Sequence, residues 1–170
     1  MPRSHAAIVS RAESAGVPML DRAAIAARIP HAGRMCLLDR VLDWDETGIR
    51  CAALSHRDAD NPLREPVGLP VWAGIEYAAQ AAAVHGALVH PQSAPRAGLL
   101  GALRNVHARC EWLDRIDGEL IVAATLLHSD RAGAIYGFAA HARHQQAADT
   151  LLLSGQFTLK LIAEQQGGTL

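Results

Sequence analysis

The chain has few cysteines and almost no net charge. Cys36, Cys51 and Cys110 are an odd number, lie far apart and form no CxxC or Cys/His cluster, so the sequence predicts neither a disulfide framework nor a zinc site. The formal net charge is −1 and the arginines are scattered, which gives no reason to expect nucleic acid or an anionic membrane as a partner. This cysteine usage favours the reducing cytoplasm.

The chain also lacks a recognisable leader. Arg11 and Glu13 interrupt its first twenty residues, which argues against a signal peptide. One apolar run, Val71–Val89, is long enough to raise the question of a membrane span. Its alanine and glycine content, together with Glu76 and Gln80, favours a core helix instead. We therefore expect a soluble, cytoplasmic protein.

The composition is that of a globular domain. Half of the 170 residues are hydrophobic, which is enough to bury a sizeable core within one domain. Residues 21–170 are predicted to form that domain. Residues 1–20 carry little pattern and are predicted to be an N-terminal extension, whose role the sequence does not indicate.

The hydrophobic pattern predicts a single long helix among strands. A short helix over 21–29, capped by Asp21, precedes two strands at 35–44 and 48–56. An irregular loop at 57–70 then leads into the apolar helix of residues 71–89. The later segments alternate as strands do and are separated by short breaks, which predicts an antiparallel meander at 98–110, 119–127, 132–144 and 150–161.

This order of elements predicts an α+β protein with the hotdog fold. A helix that is apolar on nearly every side must be covered along its length. A strongly curved antiparallel sheet wrapped around the helix would provide that cover.

Glu76 is the first candidate for chemistry. It is the one charged residue between Pro66 and Pro95. A carboxylate on a buried helix is costly unless it has a partner or a task. Helical spacing places Trp72, Gln80, Ala83 and Ala87 on the same face as Glu76. We expect small side chains beside the acid, which would leave space there or allow a second helix to approach.

Two motifs resemble the beta-hydroxyacyl-(acyl carrier protein) dehydratases of the FabZ and FabA type. The segment PHAGRMCLLDRV, residues 30–41, is similar to the Pro-His … Leu-Val-Asp-Arg-Val opening of that family. The family's helix reads Pro-Gly-x-x-x-x-Glu-x-x-x-Gln, and Pro70, Glu76 and Gln80 keep those spacings. A looser similarity lies at RIDGEL, residues 115–120. Residues 56–88 resemble more closely still the ApeP-type dehydratases of aryl-polyene gene clusters.

The resemblance implies a dehydratase that removes water from 3-hydroxyacyl chains carried on acyl carrier protein, in fatty-acid-like or aryl-polyene synthesis. It implies a homodimer, with further association left open, whose active site takes His and Glu from different subunits. The family places its histidine fourteen residues before the acid, where this chain has Pro62. We expect a longer loop to return His56 to that place.

The chemistry assigns a role to each candidate. An imidazole suits a general base at neutral pH, and His56 is proposed for it. A carboxyl kept protonated by burial suits the acid that expels the hydroxyl, which is Glu76. Unpaired N–H groups of Val71 and Trp72 at the helix start would bind the thioester oxygen, and Gln80 would fix Glu76. The reaction needs no metal or redox cofactor.

Structural interpretations of the same residues remain open. Glu76 could be ion-paired with Arg34, Arg40 or Arg64, and Gln80 could satisfy buried backbone groups. His56 could be an ordinary strand-end residue.

Other histidines have simpler interpretations. His31 is expected to pack or cap, with a catalytic role as the less favoured alternative. His85 lies opposite Glu76 on the helix and is expected to be a core histidine. His141 and His144 point to opposite faces of a strand and make a poor metal pair.

Two other functions fit the same motifs. A hotdog acyl-thioester hydrolase also uses a helix carboxylate with backbone donors. A non-catalytic hotdog subunit that binds acyl chains or stabilises a dehydratase would tolerate a displaced histidine. By charge complementarity, Arg64, Arg96 and Arg104 are candidates for a docking patch for the acidic carrier protein.

Overall fold

The computed structural model describes residues 20–91 and 98–161. It contains two α-helices, six β-strands and three short 3₁₀ turns in these ranges. The helices and strands are α1 (Arg22–Ala26), β1 (Arg40–Asp45), β2 (Gly48–Ala53), α2 (Gly74–Val89), β3 (Gly98–Ala108), β4 (Leu120–Ser129), β5 (Gly133–Ala142) and β6 (Thr150–Leu161). The 3₁₀ turns are Gly33–Met35, Ser55–Arg57 and Val71–Ala73.

The strands form one antiparallel sheet in the order β1-β2-β4-β5-β6-β3. Helix α2 has 16 residues and is therefore about 24 Å long. It packs across β2, β4 and β5. This is the hotdog arrangement, so the α+β hotdog prediction is confirmed.

Most predicted elements are confirmed, and the main differences concern the first strand and the place of β3. The first strand begins at Arg40 rather than at residue 35, because Gly33–Met35 forms a 3₁₀ turn. The meander prediction is correct for β4, β5 and β6 but wrong for β3, which pairs with β6 at the edge of the sheet. Because β4 occupies the free side of β2 and α2 carries the chain across the sheet, β3 enters at the opposite edge.

Helix α1 begins as the sequence predicts. The Asp21 carboxylate accepts a hydrogen bond from the Ala24 N–H at 2.9 Å, which satisfies a donor at the helix start. The helix ends at Ala26, three residues before the predicted end at Ile29. All but the last residue of the predicted extension, residues 1–20, lie outside the described residues.

Small residues allow α2 to lie close to the sheet. Ala78 and Ala81 are fully buried. A Cβ added at Gly74 would lie 2.9 Å from Leu153 Cδ2, so glycine permits this close approach at the helix start. Within the described ranges, no helix is long and apolar enough to cross a bilayer.

His85 ties α2 to both halves of the sheet. Its Nε2 lies 2.7 Å from the Asp45 carbonyl oxygen, and its Nδ1 lies 2.8 Å from the Tyr136 hydroxyl. A carbonyl only accepts, so Nε2–H donates to Asp45 and Nδ1 accepts from Tyr136. Burial lowers the pKa of His85, which favours this neutral tautomer. The prediction of a satisfied core histidine is confirmed.

Candidate active site

Glu76 lies in the first turn of α2 and is held at one oxygen. Gln80, four residues later on the same face, donates from Nε2 to Glu76 Oε1 at 3.0 Å. His31 Nε2 lies 3.1 Å from the same oxygen. In the part of the chain that the structure describes, no side chain or backbone group bonds to Oε2 of Glu76. One oxygen is therefore fixed and the other is left for a ligand.

Gln80 also anchors the segment before β1. It is fully buried, donates from Nε2 to the Met35 carbonyl at 2.7 Å, and accepts from the Leu37 N–H at 2.9 Å. Both functions considered for Gln80 therefore occur together. It satisfies buried backbone groups and it holds the Glu76 carboxylate.

Two expectations about Glu76 need correction. Its side chain is 33% exposed rather than buried, because it lines a cavity instead of packing into the core. It is not paired with an arginine either, since each predicted arginine has another acidic partner. These pairs are Arg34–Asp60, Arg40–Glu119 and Arg64–Asp114.

His31 lies at Glu76, although sequence reasoning favoured a structural role for it. We expected packing or capping, but its ring contacts the Glu76 carboxylate. The contact joins residues 45 positions apart, and spacing along the chain gives no indication of it. The Pro-His motif was the available signal. Its Nδ1 is buried and has no hydrogen-bond partner in the described part of the chain.

His56 lies in the Ser55–Arg57 turn that follows β2, not at the strand end as predicted, because β2 stops at Ala53. The residue is fully buried. Its Nε2 lies 3.3 Å from the Ile116 carbonyl oxygen, which can only accept, so Nε2 carries the proton. Its Nδ1 is buried and unpaired among the described residues.

Burial lowers the pKa of His56, and the hydrogen bond to Ile116 opposes this only in part. The ring is therefore neutral near pH 7, with the Nδ1 lone pair available to accept a proton. A buried polar atom without a partner is unusual in a folded protein. A buried, unpaired ring nitrogen is the feature expected of a histidine that binds a ligand.

The two catalytic candidates do not contact each other within one chain. His56 bonds to Ile116, whereas Glu76 bonds to Gln80 and His31. They are nonetheless linked through α2, since Ser55, next to His56, lies 2.8 Å from the hydroxyl of Tyr77, next to Glu76.

The start of α2 offers one backbone donor rather than two. The Val71 N–H donates to the Glu111 carbonyl at 2.9 Å, so the prediction of an unpaired Val71 amide is wrong. The pairing results from a bridge between the loop before α2 and the chain after β3. Over the residues the structure describes, the Trp72 N–H makes no backbone hydrogen bond, and the Trp72 side chain is exposed.

A cavity of about 900 Å³ begins at Glu76 and His31 and follows α2 toward its end. Ala83 and Ala87 line it, as the helical spacing predicts, and Ala79 lines it as well. The opposite wall is formed by sheet residues. An elongated, mostly apolar ligand would fit such a space with one end at Glu76.

The predicted arginine patch is only partly available. Arg64 is engaged with Asp114 at 2.7 Å, and Arg96 lies outside the described residues. Arg104 is exposed on β3.

The long helix and the six-stranded antiparallel sheet define this chain as a hotdog-fold protein. The sequence profile of the ApeP-like family, described as ApeP dehydratase, matches residues 23–160. The chain therefore belongs to the ApeP-like dehydratase family. No curated protein is similar enough in sequence to count as a relative.

Solved structures agree on the fold. The dehydratase heterocomplex ApeI:P from Xenorhabdus doucetiae has a TM-score of 0.70 and 21% identity, covering 82% of this chain and 91% of that chain. AziG from S. sahachiroi has a TM-score of 0.53 and 16% identity, with coverage of 72% and 89%. The thioesterase HI1161 from Haemophilus influenzae also has a TM-score of 0.53 and 16% identity, with coverage of 76% and 81%.

Proposed function

We propose that this protein dehydrates 3-hydroxyacyl thioesters carried on acyl carrier protein. The observation that carries the proposal is Glu76, which is held at Oε1 by two side chains and has an unpaired Oε2 at a large cavity. Membership of a dehydratase family favours elimination over the hydrolysis that other hotdog proteins perform. An aryl-polyene pathway fits that family.

His56 is the proposed general base and Glu76 the proposed general acid. The His56 lone pair takes a proton from C2 of the substrate, and the electrons of that C–H bond form the C2=C3 double bond. Glu76 takes up a proton from solvent at Oε2 when the substrate binds. The C3–O bond breaks, and this proton passes to the hydroxyl, which leaves as water. His56 then returns its proton to solvent, and both groups are back in their starting states.

Negative charge develops on the thioester oxygen during this step. The Trp72 N–H, at the start of α2, is the donor proposed to stabilise it, aided by the positive end of the helix dipole. Val71 belongs to the same turn, but its N–H is bonded to the Glu111 carbonyl and is not free to donate to a ligand. The acyl chain then lies along α2 in the cavity that begins at Glu76.

His56 and Glu76 each bond to other groups within one chain, and we propose that a second subunit completes the site. Strand β3 is the proposed contact. It forms the edge of the sheet, and almost every residue in it is exposed, on both faces. Leu99, Leu100 and Leu103 are between 44% and 60% exposed. Such an apolar edge favours pairing with another chain, and a second copy is our proposal.

His56 is fully buried in the single chain, so a substrate can reach its ring only if neighbouring groups move. Leu54 and Arg57, which flank the Ser55–His56 pair in sequence, are exposed. We propose that these residues move aside when the carrier-bound chain enters. The cost is limited because neither side chain belongs to the core.

The test is turnover by the purified chain on a 3-hydroxyacyl-carrier-protein substrate, followed by the absorbance of the conjugated product. We expect turnover by the wild type and a loss of at least about 10³-fold in Glu76→Gln and His56→Ala. Arg34→Gln is the matched control, since Arg34 forms an exposed pair with Asp60. Release of free carrier thiol without an enoyl product would identify a thioesterase instead.

A second candidate function is a subunit that supports a partner dehydratase without performing chemistry itself. Full burial of His56 favours it. The ApeI:P dehydratase, which this chain resembles in fold, is itself a heterocomplex. If this function is correct, the chain alone is inactive, and His56→Ala leaves the activity of the mixed complex unchanged.

A further inference from the structure

A buried hydrogen-bonded chain joins the turn that carries His56 to the helix that carries Glu76. Ser55 Oγ lies 2.6 Å from the Leu37 carbonyl oxygen and 2.8 Å from the Tyr77 hydroxyl. Asn61 Nδ2 lies 2.9 Å from the same hydroxyl and 2.8 Å from the Ser55 carbonyl oxygen. These side chains touch neither the His56 ring nor the Glu76 carboxylate.

The direction of every bond in this chain is fixed by chemistry. The Leu37 carbonyl only accepts, so the Ser55 hydroxyl proton points to it. Ser55 Oγ must then accept from Tyr77, whose single proton is used in that bond. The Tyr77 oxygen therefore accepts from Asn61 Nδ2, because an amide nitrogen only donates. Asn61 Oδ1 completes the order by accepting from the Leu63 N–H at 2.9 Å.

The same chain continues to the acid. The Leu37 N–H donates to Gln80 Oε1, and Gln80 Nε2 donates to Glu76. The backbone of Leu37 thus bonds through its N–H to Gln80, which holds Glu76, and through its carbonyl to Ser55, the neighbour of His56. Tyr77 is fully buried, and burial raises its pKa to about 12, so its hydroxyl keeps its proton.

We propose that Tyr77 is a positioning residue for His56, acting through Ser55 and Asn61. The inference rests on the proposed function, because His56 is assigned there as the base. A turn held at both Ser55 and Asn61 has one arrangement, and it presents the His56 ring at a fixed place relative to α2. Loss of the Tyr77 hydroxyl releases that constraint and leaves the ring, the acid and the cavity chemically unchanged.

The test is Tyr77→Phe in the full-length protein. The substitution leaves Ser55 bonded to Leu37 and Asn61 bonded to the Ser55 carbonyl, so no buried donor loses every partner. We therefore expect a fall in Tm of about 2–4 °C. A displaced catalytic group costs far more in rate, so we expect kcat to fall roughly 10- to 100-fold with KM changed less than about twofold.

Ile49→Val is the matched control for stability. Ile49 is 3% exposed in β2, and removing its methylene is expected to lower Tm to a similar extent. Its kcat should remain that of the wild type. Equal kcat in Tyr77→Phe and Ile49→Val would overturn the positioning role.

A spectroscopic readout separates this inference from the proposed function. Long-range ¹H–¹⁵N correlations report the tautomer of His56 without any substrate. We expect a single Nε2–H form in the wild type and a mixture in Tyr77→Phe. An unchanged His56 signal overturns the inference. An inactive wild type with the expected tautomer change overturns the proposed function and leaves the positioning network standing.

Discussion

Replacement of Gln80 by methionine tests the link between the acid and the segment before β1. Gln80 is fully buried and bonds to the Met35 carbonyl, the Leu37 N–H and Glu76. Methionine has nearly the same length and volume, so packing is conserved and the hydrogen bonds are lost. The effect therefore reports the polar contacts rather than a cavity.

The magnitude follows from what is left unpaired. The buried Leu37 N–H loses its partner, which costs about 1–3 kcal/mol, and the Met35 carbonyl adds about 1 kcal/mol. We expect the free energy of unfolding to fall by about 2–4 kcal/mol. The bond to Glu76 contributes little to stability, because the carboxylate is one-third exposed and retains His31.

Urea denaturation at a fixed protein concentration is the assay, since association would otherwise shift the midpoint. With an m-value of about 2 kcal/mol/M, the midpoint should fall by about 1–2 M with m unchanged. Gln156→Met in β6 is the control, because Gln156 is partly exposed and should change stability by less than about 0.5 kcal/mol. Equal midpoints for the two variants would refute the reasoning.

Two further predictions concern stability. Gly133→Ala should lower the free energy of unfolding by about 2 kcal/mol or more, because the φ of Gly133 is +159° and a Cβ would lie 1.9 Å from the Leu159 carbonyl oxygen. Gly86→Ala in α2 should raise the free energy of unfolding by up to about 1 kcal/mol, because nothing lies within 4 Å of the added Cβ. Urea midpoints in the opposite order would contradict this prediction. Burial lowers the pKa of His56 and His85 in the folded protein. Below about pH 6.5 the unfolded chain therefore binds protons at these histidines that the folded chain does not. Stability should then fall by up to about 1.4 kcal/mol per pH unit for each histidine, until its folded pKa is reached. Urea midpoints from pH 7 to pH 5 measure this slope of stability against pH. We expect a shallower slope in His85→Leu than in the wild type, and equal slopes in the two proteins would contradict the prediction.

Local pattern was enough to predict the elements and part of the site. The apolar run of residues 71–89 required cover, and the sheet provides it. The four-residue spacing of Glu76 and Gln80 places both on one helical face, where they form the expected hydrogen bond. The small residues Ala83 and Ala87 follow from the same period and line the cavity.

Contacts between distant segments were not predictable in this way. His31 meets Glu76 because the 3₁₀ turn after Pro30 brings the chain back to α2, and no periodicity encodes that return. The Val71 amide is taken by Glu111, which lies beyond the next strand. The place of β3 in the sheet depends on which edges are already paired, whereas alternation identifies a strand without its neighbours.

Subunit complementation tests the central claim most directly, namely that His56 of one chain works with Glu76 of another. His56→Ala and Glu76→Gln are each expected to be inactive, but a dimer containing one of each has one site with both residues intact. Random pairing makes about half of the dimers mixed, so co-expression of the two variants should restore about a quarter of wild-type turnover. Mixed dimers that are isolated with two affinity tags and remain as inactive as either variant would contradict the account.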